Sequence, residues 1–273
     1  MGITWLCIGL VFAFVSCLHH SCLAGPGGTA EPFAFGSIEP VDGKLCQDMK
    51  DRHVLVDIFP SCARLRLVRF SYINFDGEIK TDGMIVVIDA ISAQVLDLFR
   101  QLLEAKFPIK TAMLMNVYGG DDDASMARNN TSAFNDRKIP GKATNSLHSY
   151  GAAIDINPVQ NPYVLRTGVK TEVKPPAGAG YLDRSAASIG MAEPVVQIFK
   201  NHGFLIWGGA WRNPQDFQHF QVSRDVVQKI LALEPKEARE FFDKYVQNYR
   251  RCIAAATNQQ SSSTFKCQGN LKN

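Results

Sequence analysis

The sequence predicts a single mixed α+β domain, and three observations carry that expectation. The chain has 273 residues, 46% apolar and 20% charged, which suffices for one sizeable core. Short strand-like and helix-like apolar patterns both occur along it. It shows no internal repeat and no convincing linker, so one domain is the simplest organisation. Composition also excludes classes. Aromatic residues at 10% argue against disorder. No run of 18 apolar residues follows the N-terminus, which excludes a multi-pass membrane protein. The net charge of +3, from 29 Lys+Arg against 26 Asp+Glu, is too balanced to suggest a nucleic-acid binder.

The elements follow in order. The first 24 residues contain no Lys, Arg, Asp or Glu. They hold a short apolar block at Ile8–Val15 and a small-x-small Cys22-Leu23-Ala24. This reads as a secretory signal peptide cut after Ala24, although the n-region lacks a basic residue. An uncleaved anchor is the alternative. Phe14-Val15-Ser16-Cys17 makes a poor lipoprotein box, because its first position is usually Leu. Export to the periplasm or the extracellular space, without lipidation, is the expectation.

Residues 25–80 form an N-terminal leader and extension, Gly/Pro-rich to about 45 and β-prone at Leu65–Phe70. Gly83–Ile88 reads as a buried strand. Ile91, Val95, Leu98, Leu102 and Leu103 recur at helical spacing from Ala90 to Phe107, and Pro108 ends that helix. Thr111–Val117 reads as another strand. Residues 119–147 are a long polar loop, of the kind that is usually functional or mobile. Its Asp121-Asp122-Asp123 lacks the Gly and terminal Glu of an EF-hand calcium loop, so a solvated turn is favoured. Residues 152–157 are a strand, 162–184 a Pro/Gly-rich excursion and 191–202 a helix. A strand, a loop and a second strand occupy 204–222, and 223–252 is helical. The domain proper is placed at 81–255, with a tail at 256–273.

Four cysteines follow residue 24: Cys46, Cys62, Cys252 and Cys267. An even count in an exported chain suggests two disulfides. Three pairings are open. Cys46–Cys62 and Cys252–Cys267 are favoured because each is local and clips a terminal region. No C-x-x-C spacing supports a structural zinc.

Four histidines follow residue 24 as well, and two keep unusual company. In Ser146–Pro158, Ile154 and Ile156 would point to one face of a strand, with Ala153, Asp155 and Asn157 on the other. An Asp flanked by apolar residues must be paired, coordinated or solvated. His148 and Asp155 lie seven residues apart, roughly 23 Å if extended, too far for one metal. Gly151 offers the turn that could fold them together. His219, in the strand-like Phe217–Val222, could be a third ligand. That leaves a fourth position for water, the open geometry of a catalytic zinc. Asp216 stands three residues before His219, close enough to reach that water. On spacing alone, a hydrogen-bonded structural histidine remains the commoner outcome. HExxH is absent. His202, before Gly203, reads as a helix cap. Trp207 and Trp211 could line a groove or pack in the core, and Asn129-Asn130-Thr131-Ser132 fits glycosylation sequons.

The joint pattern Ser146-x-His148-x-x-Gly151-x-Ala153-x-Asp155, then Asp216-x-x-His219-Phe220, resembles the zinc D-alanyl-D-alanine carboxypeptidase family. That family includes D,D-carboxypeptidases, dipeptidases and phage L-alanyl-D-glutamate endopeptidases. Asn129–Asn135, Ile156–Tyr163 and Phe204–Trp211 resemble its carboxypeptidase-like branch, so the likeness covers roughly residues 110–225. It implies the fold shared with the hedgehog signalling domain: a single α+β domain, a small antiparallel sheet with flanking helices. It implies one zinc per chain held by His148, Asp155 and His219, with Asp216 as general base and Ser146 touching substrate. The family's substrate arginine maps to Arg137, with Arg128 the rival. The implied partner is a peptidoglycan stem peptide, most simply a D-alanyl-D-alanine end, hydrolysed with metal assistance. An endopeptidase, or a non-catalytic zinc module binding wall or a partner protein, are the alternatives. Retention of Asp216 disfavours the module.

Overall fold

A computed structural model describes Gly2, residues 35–57 and 60–258, and Cys267. The expected signal peptide apart from Gly2, residues 25–34 of the leader and most of the tail lie outside the described residues. The described residues from Phe35 onward form one compact unit. It is a mixed α+β fold built on small antiparallel sheets with several helices. None of the described helices is long and apolar enough to cross a membrane.

The first sheet has the order β1-β2-β3, from β1 (Gly36–Pro40), β2 (Leu65–Ile73) and β3 (Ile79–Ile88). The division expected after residue 80 therefore falls inside a strand. β1 pairs with β2 and β2 with β3, so residues 36–57 and 60–80 are part of the folded unit rather than an extension. α1 (Gly43–Asp51) lies between β1 and β2, capped by the Asp42 side chain on Leu45 N–H at 2.7 Å. The Cys46–Cys62 disulfide joins α1 to the start of β2.

α2 (Ser92–Glu104) packs its Val95, Leu98, Phe99 and Leu102 stripe on this sheet. Phe99 stacks on Phe70 at 3.7 Å between centroids. The helix is shorter than its apolar period suggests. It begins after a 3₁₀ turn at Asp89–Ile91 and stops at Glu104, just before Lys106 takes φ +55°. Thr111–Val117 is not a strand. After a single bridge from Thr111 to Asn130, the Asn130 side chain takes both the N–H and the C=O of Met113. The ladder ends there, and Met115–Tyr118 closes as a 3₁₀ turn.

The polar loop contains a short helix, α3 (Asp122–Ala127), whose N-cap is Asp121. The Pro/Gly-rich excursion contains a hairpin, β5 (Tyr163–Thr167) and β6 (Lys170–Lys174), turning at Gly168 with φ +57°. β8 (Gln215–Asp216) joins it in the order β6-β5-β8. The third sheet has the order β4-β9-β7, from β4 (Ala153–Asp155), β7 (Ile206–Trp207) and β9 (His219–Gln221).

α4 (Val196–Asn201) ends on His202, whose Nδ1 bonds the Ile198 carbonyl at 2.7 Å, as a cap should. The final helical stretch is two helices, α5 (Arg224–Ala232) and α6 (Pro235–Asn258), broken where Pro235 forbids helix at the preceding residue. Cys252 on α6 is bonded to Cys267, which is buried.

Candidate metal centre

β4 and β9 pair antiparallel with Asp155 directly opposite His219 and Ala153 opposite Gln221. Alternation then sorts the side chains. Ile154, Ile156 and Phe220 are fully buried in the core, while Asp155, His219 and Gln221 share the other face. His148 sits on a 3₁₀ turn, Leu147–Tyr150, that ends at Gly151 with φ +63°. That left-handed turn reverses the chain into β4, so seven residues of sequence separation collapse to contact. His148 Nε2 lies 3.2 Å from Asp155 Oδ2 and 3.1 Å from His219 Nδ1. His219 Nδ1 lies 2.9 Å from Asp155 Oδ1. All three side chains are nearly buried.

The outer nitrogen of each ring is committed to an oxygen. His148 Nδ1 donates to the Ala133 carbonyl at 2.5 Å, and His219 Nε2 donates to Gln221 Oε1 at 2.9 Å. A neutral imidazole has one N–H, so these bonds turn both inward nitrogens into lone-pair donors. Two such nitrogens and a carboxylate aimed at one point fit a tetrahedral cation with N and O ligands, as zinc prefers.

The electrostatics agree. Burial would raise the Asp155 carboxyl, but the charges and hydrogen bonds of His148 and His219 outweigh it and hold the group well below the usual carboxylate range. For His219, burial works against the charged form. The hydrogen bond and charge of Asp155, then the charge of Asp216, nevertheless lift it to about 9. The site thus draws a positive charge, which a proton or a metal ion can supply.

Asp216 sits on β8, opposite Tyr163 of β5. Burial, then the neighbouring Asp155 charge, push its carboxyl up to about 6, with His219, Gln218 and His148 pulling partly back. Its Oδ1 is buried without a hydrogen-bond partner among the described residues. Gly208 lets the chain approach it: a Cβ there would meet the Asp216 carbonyl oxygen at 2.5 Å. Trp211 tilts against the His219 ring at 5.5 Å, whereas Trp207 stacks on Phe220 and bonds the Phe217 carbonyl at 2.8 Å. Trp207 is therefore a strut and Trp211 a neighbour of the site.

Ser146 Oγ accepts from the His148 N–H at 3.3 Å and so caps the ligand-bearing turn. The Arg137 backbone is bonded to the same turn, through Ser149 Oγ and Ser146 N. Its side chain pairs with Asp122. Arg128 is an exposed C-cap of α3 with its charge near Tyr118. The structure joins Arg137, not Arg128, to the turn that carries His148.

The sequence left several of these partners unread: Gln221, the Ala133 carbonyl, Ser149 and Asp122. Only Gln221 carried a signal, standing two residues from His219 on one strand face. The sequons are buried: Asn129 bonds Gln160 and Val159, and Asn130 bonds Met113 and Ser125. They brace the loop and present no acceptor at the surface.

No curated protein and no solved structure matches the chain. A family model does, over the stretch that runs from just after Arg137 to the end of β9. The ligand turn, β4, β8 and β9 all lie inside it. The likeness read from the histidine and aspartate pattern therefore holds at residues 140–222, which match the D-alanyl-D-alanine carboxypeptidase family.

Proposed function

We propose that the protein is an exported, zinc-dependent peptidase that hydrolyses peptidoglycan stem peptides, with a D-alanyl-D-alanine end as substrate. The observation that carries this is the convergence of His148 Nε2, Asp155 and His219 Nδ1 beside the half-buried Asp216, whose Oδ1 is buried and which holds no metal position. A zinc ion held by those three side chains would supply Lewis-acid polarisation of the scissile carbonyl and lower the pKa of water. Asp216 accepts the proton of the attacking water and returns it to the leaving amine. Burial and the neighbouring Asp155 charge lift its carboxyl, which makes it more basic than a free carboxylate and suits it to take that proton. Arg137 donates to the carbonyl oxygen as charge develops there, or to the substrate carboxylate. Ser146 holds the turn and borders the substrate. The two disulfides support an oxidising compartment, in keeping with export.

The test is digestion of purified muropeptides with product masses. Loss of a terminal D-alanine supports the carboxypeptidase; cleavage inside the stem would make it an endopeptidase; no product from a zinc-loaded protein would leave a binding module. Asp216→Ala should keep its zinc and lose roughly 10²–10⁴ in turnover. Equal turnover per bound zinc in the variant and the wild type would remove Asp216 as the base.

A further inference from the structure

The acidic triplet of the polar loop has no part in the metal centre, yet each of its carboxylates has a separate partner. Asp121 Oδ1 accepts from Ala124 N–H and caps α3. Asp123 pairs with Lys174 of β6 at 2.9 Å. Asp122 Oδ1 accepts from Asn135 Nδ2 at 2.8 Å, and its Oδ2 pairs with Arg137 Nε.

Residues 133–137 form a strap against the His148 turn. Its backbone touches that turn at three points: the Ala133 carbonyl to His148 Nδ1, Asn135 N to the His148 carbonyl, and Arg137 N and O to Ser149 Oγ. Its side chains alternate in direction. Phe134 enters the core around Met49, and Asp136 accepts from the N–H groups of Val56 and Asp57. Asn135 and Arg137 take the opposite direction, and both end on Asp122.

A guanidinium offers two edges for bidentate binding, Nε with one Nη and the two Nη together. Asp122 takes Nε. Neither Nη of Arg137 has a partner among the described residues. With the backbone tied to the ligand turn and Nε tied to α3, the free edge is presented in one direction. We propose that Asp122 is a positioning residue that orients the Arg137 guanidinium for the substrate's carboxylate or carbonyl oxygen. This rests on the reading that Arg137 holds the substrate. It also accounts for the triplet as a brace, not a calcium site.

The test is a double-mutant cycle on the zinc-loaded protein, reading kcat/KM per bound zinc on a stem peptide ending in D-alanyl-D-alanine. Asp122→Asn, close in shape, should lower kcat/KM tenfold to about 10²-fold with zinc content unchanged. In the Arg137→Ala background it should cause no further loss. Asp123→Asn, which removes a mostly exposed pair, should stay within about twofold of wild type. A second measurement needs no turnover: the Arg137 Nε proton, identified by its absence in Arg137→Ala, should exchange slowly in wild type and fast in Asp122→Asn. An undiminished loss in the Arg137→Ala background, or equal exchange in both proteins, overturns the proposal. Wild-type turnover by Arg137→Ala would overturn it through the substrate role it rests on. An impaired Arg137→Ala beside an unaffected Asp122→Asn would overturn it on its own ground.

Discussion

At the scale of single residues, the centre is defined as much by what holds the ligands as by the ligands. Gln221 accepts the only N–H that a neutral His219 can offer, which leaves Nδ1 for the cation. Gln221→Leu should therefore weaken zinc binding by about 10–100-fold while the fold survives, measured by competition with a chelator. An unchanged affinity would show that the ring is oriented by β9 alone. Titration gives a second expectation. In chelator-stripped protein, His219 has a folded pKa raised from 6.5 to about 9. Its contribution to stability is fully present below pH 6.5 and is lost as the pH rises through about 9. Asp216, raised from 3.8 to about 6, acts in the same direction at lower pH, whereas the depressed Asp155 already contributes fully above 3.8. The melting temperature of the stripped protein should thus fall between pH 6.5 and 9, and that of the zinc-loaded protein should not. A flat profile for the stripped protein would contradict the charge balance described for His219.

At the scale of elements, the centre depends on one reversal of the chain. Gly151 has φ +63°, and a Cβ on it would meet Ile88 N at 2.6 Å and the Val87 carbonyl carbon at 2.9 Å. Both are backbone atoms of β3, which cannot swing aside. Gly151→Ala should destabilise the protein by more than about 1 kcal/mol and cut zinc occupancy with it, readable as a lower denaturation midpoint and metal content. The turn was legible in the sequence because Gly was the one residue between His148 and Asp155 suited to it. The hairpin of β5 and β6 was not. Its Pro and Gly content masked a short alternation in which only Val164 is fully buried. Likewise, Thr111–Val117 has strand-like composition, but the Asn130 side chain caps its backbone before a neighbour can pair.

At the scale of the whole molecule, two covalent clips close the ends of the described unit. Cys252 and Cys267 lie 15 residues apart, and Cys46 and Cys62 lie 16 apart. A loop of that length is worth about 3 kcal/mol in the chain-entropy model. Reduction of either should lower the melting temperature by on the order of 10 °C. Because Cys267 is buried against α6, opening its clip should also loosen the C-terminal packing. Peptide mapping without reductant should find both pairs; crossed pairs or free thiols at these four positions would refute the clips.

The sequence by itself pointed to the mixed α+β class and favoured the local pairing of the four cysteines, and its likeness to a zinc peptidase family singled out His148, Asp155 and His219 as candidate ligands. The first two rest on short-range information, residue type and spacing; the third rests on a motif whose likeness to the family carried what spacing alone left open. The tertiary structure decided the rest. It brought β9 across β4 so that a histidine 64 residues away faces Asp155, and it tied Arg137 rather than Arg128 to the ligand turn. It also turned a run of three aspartates into a cap, a brace and a tie. The physical reason is that a carboxylate or a guanidinium has the same local signature whether it faces water or a partner. Its role is set by which backbone the fold places within about 3 Å of it, and that depends on strand register and core packing, which no local pattern encodes.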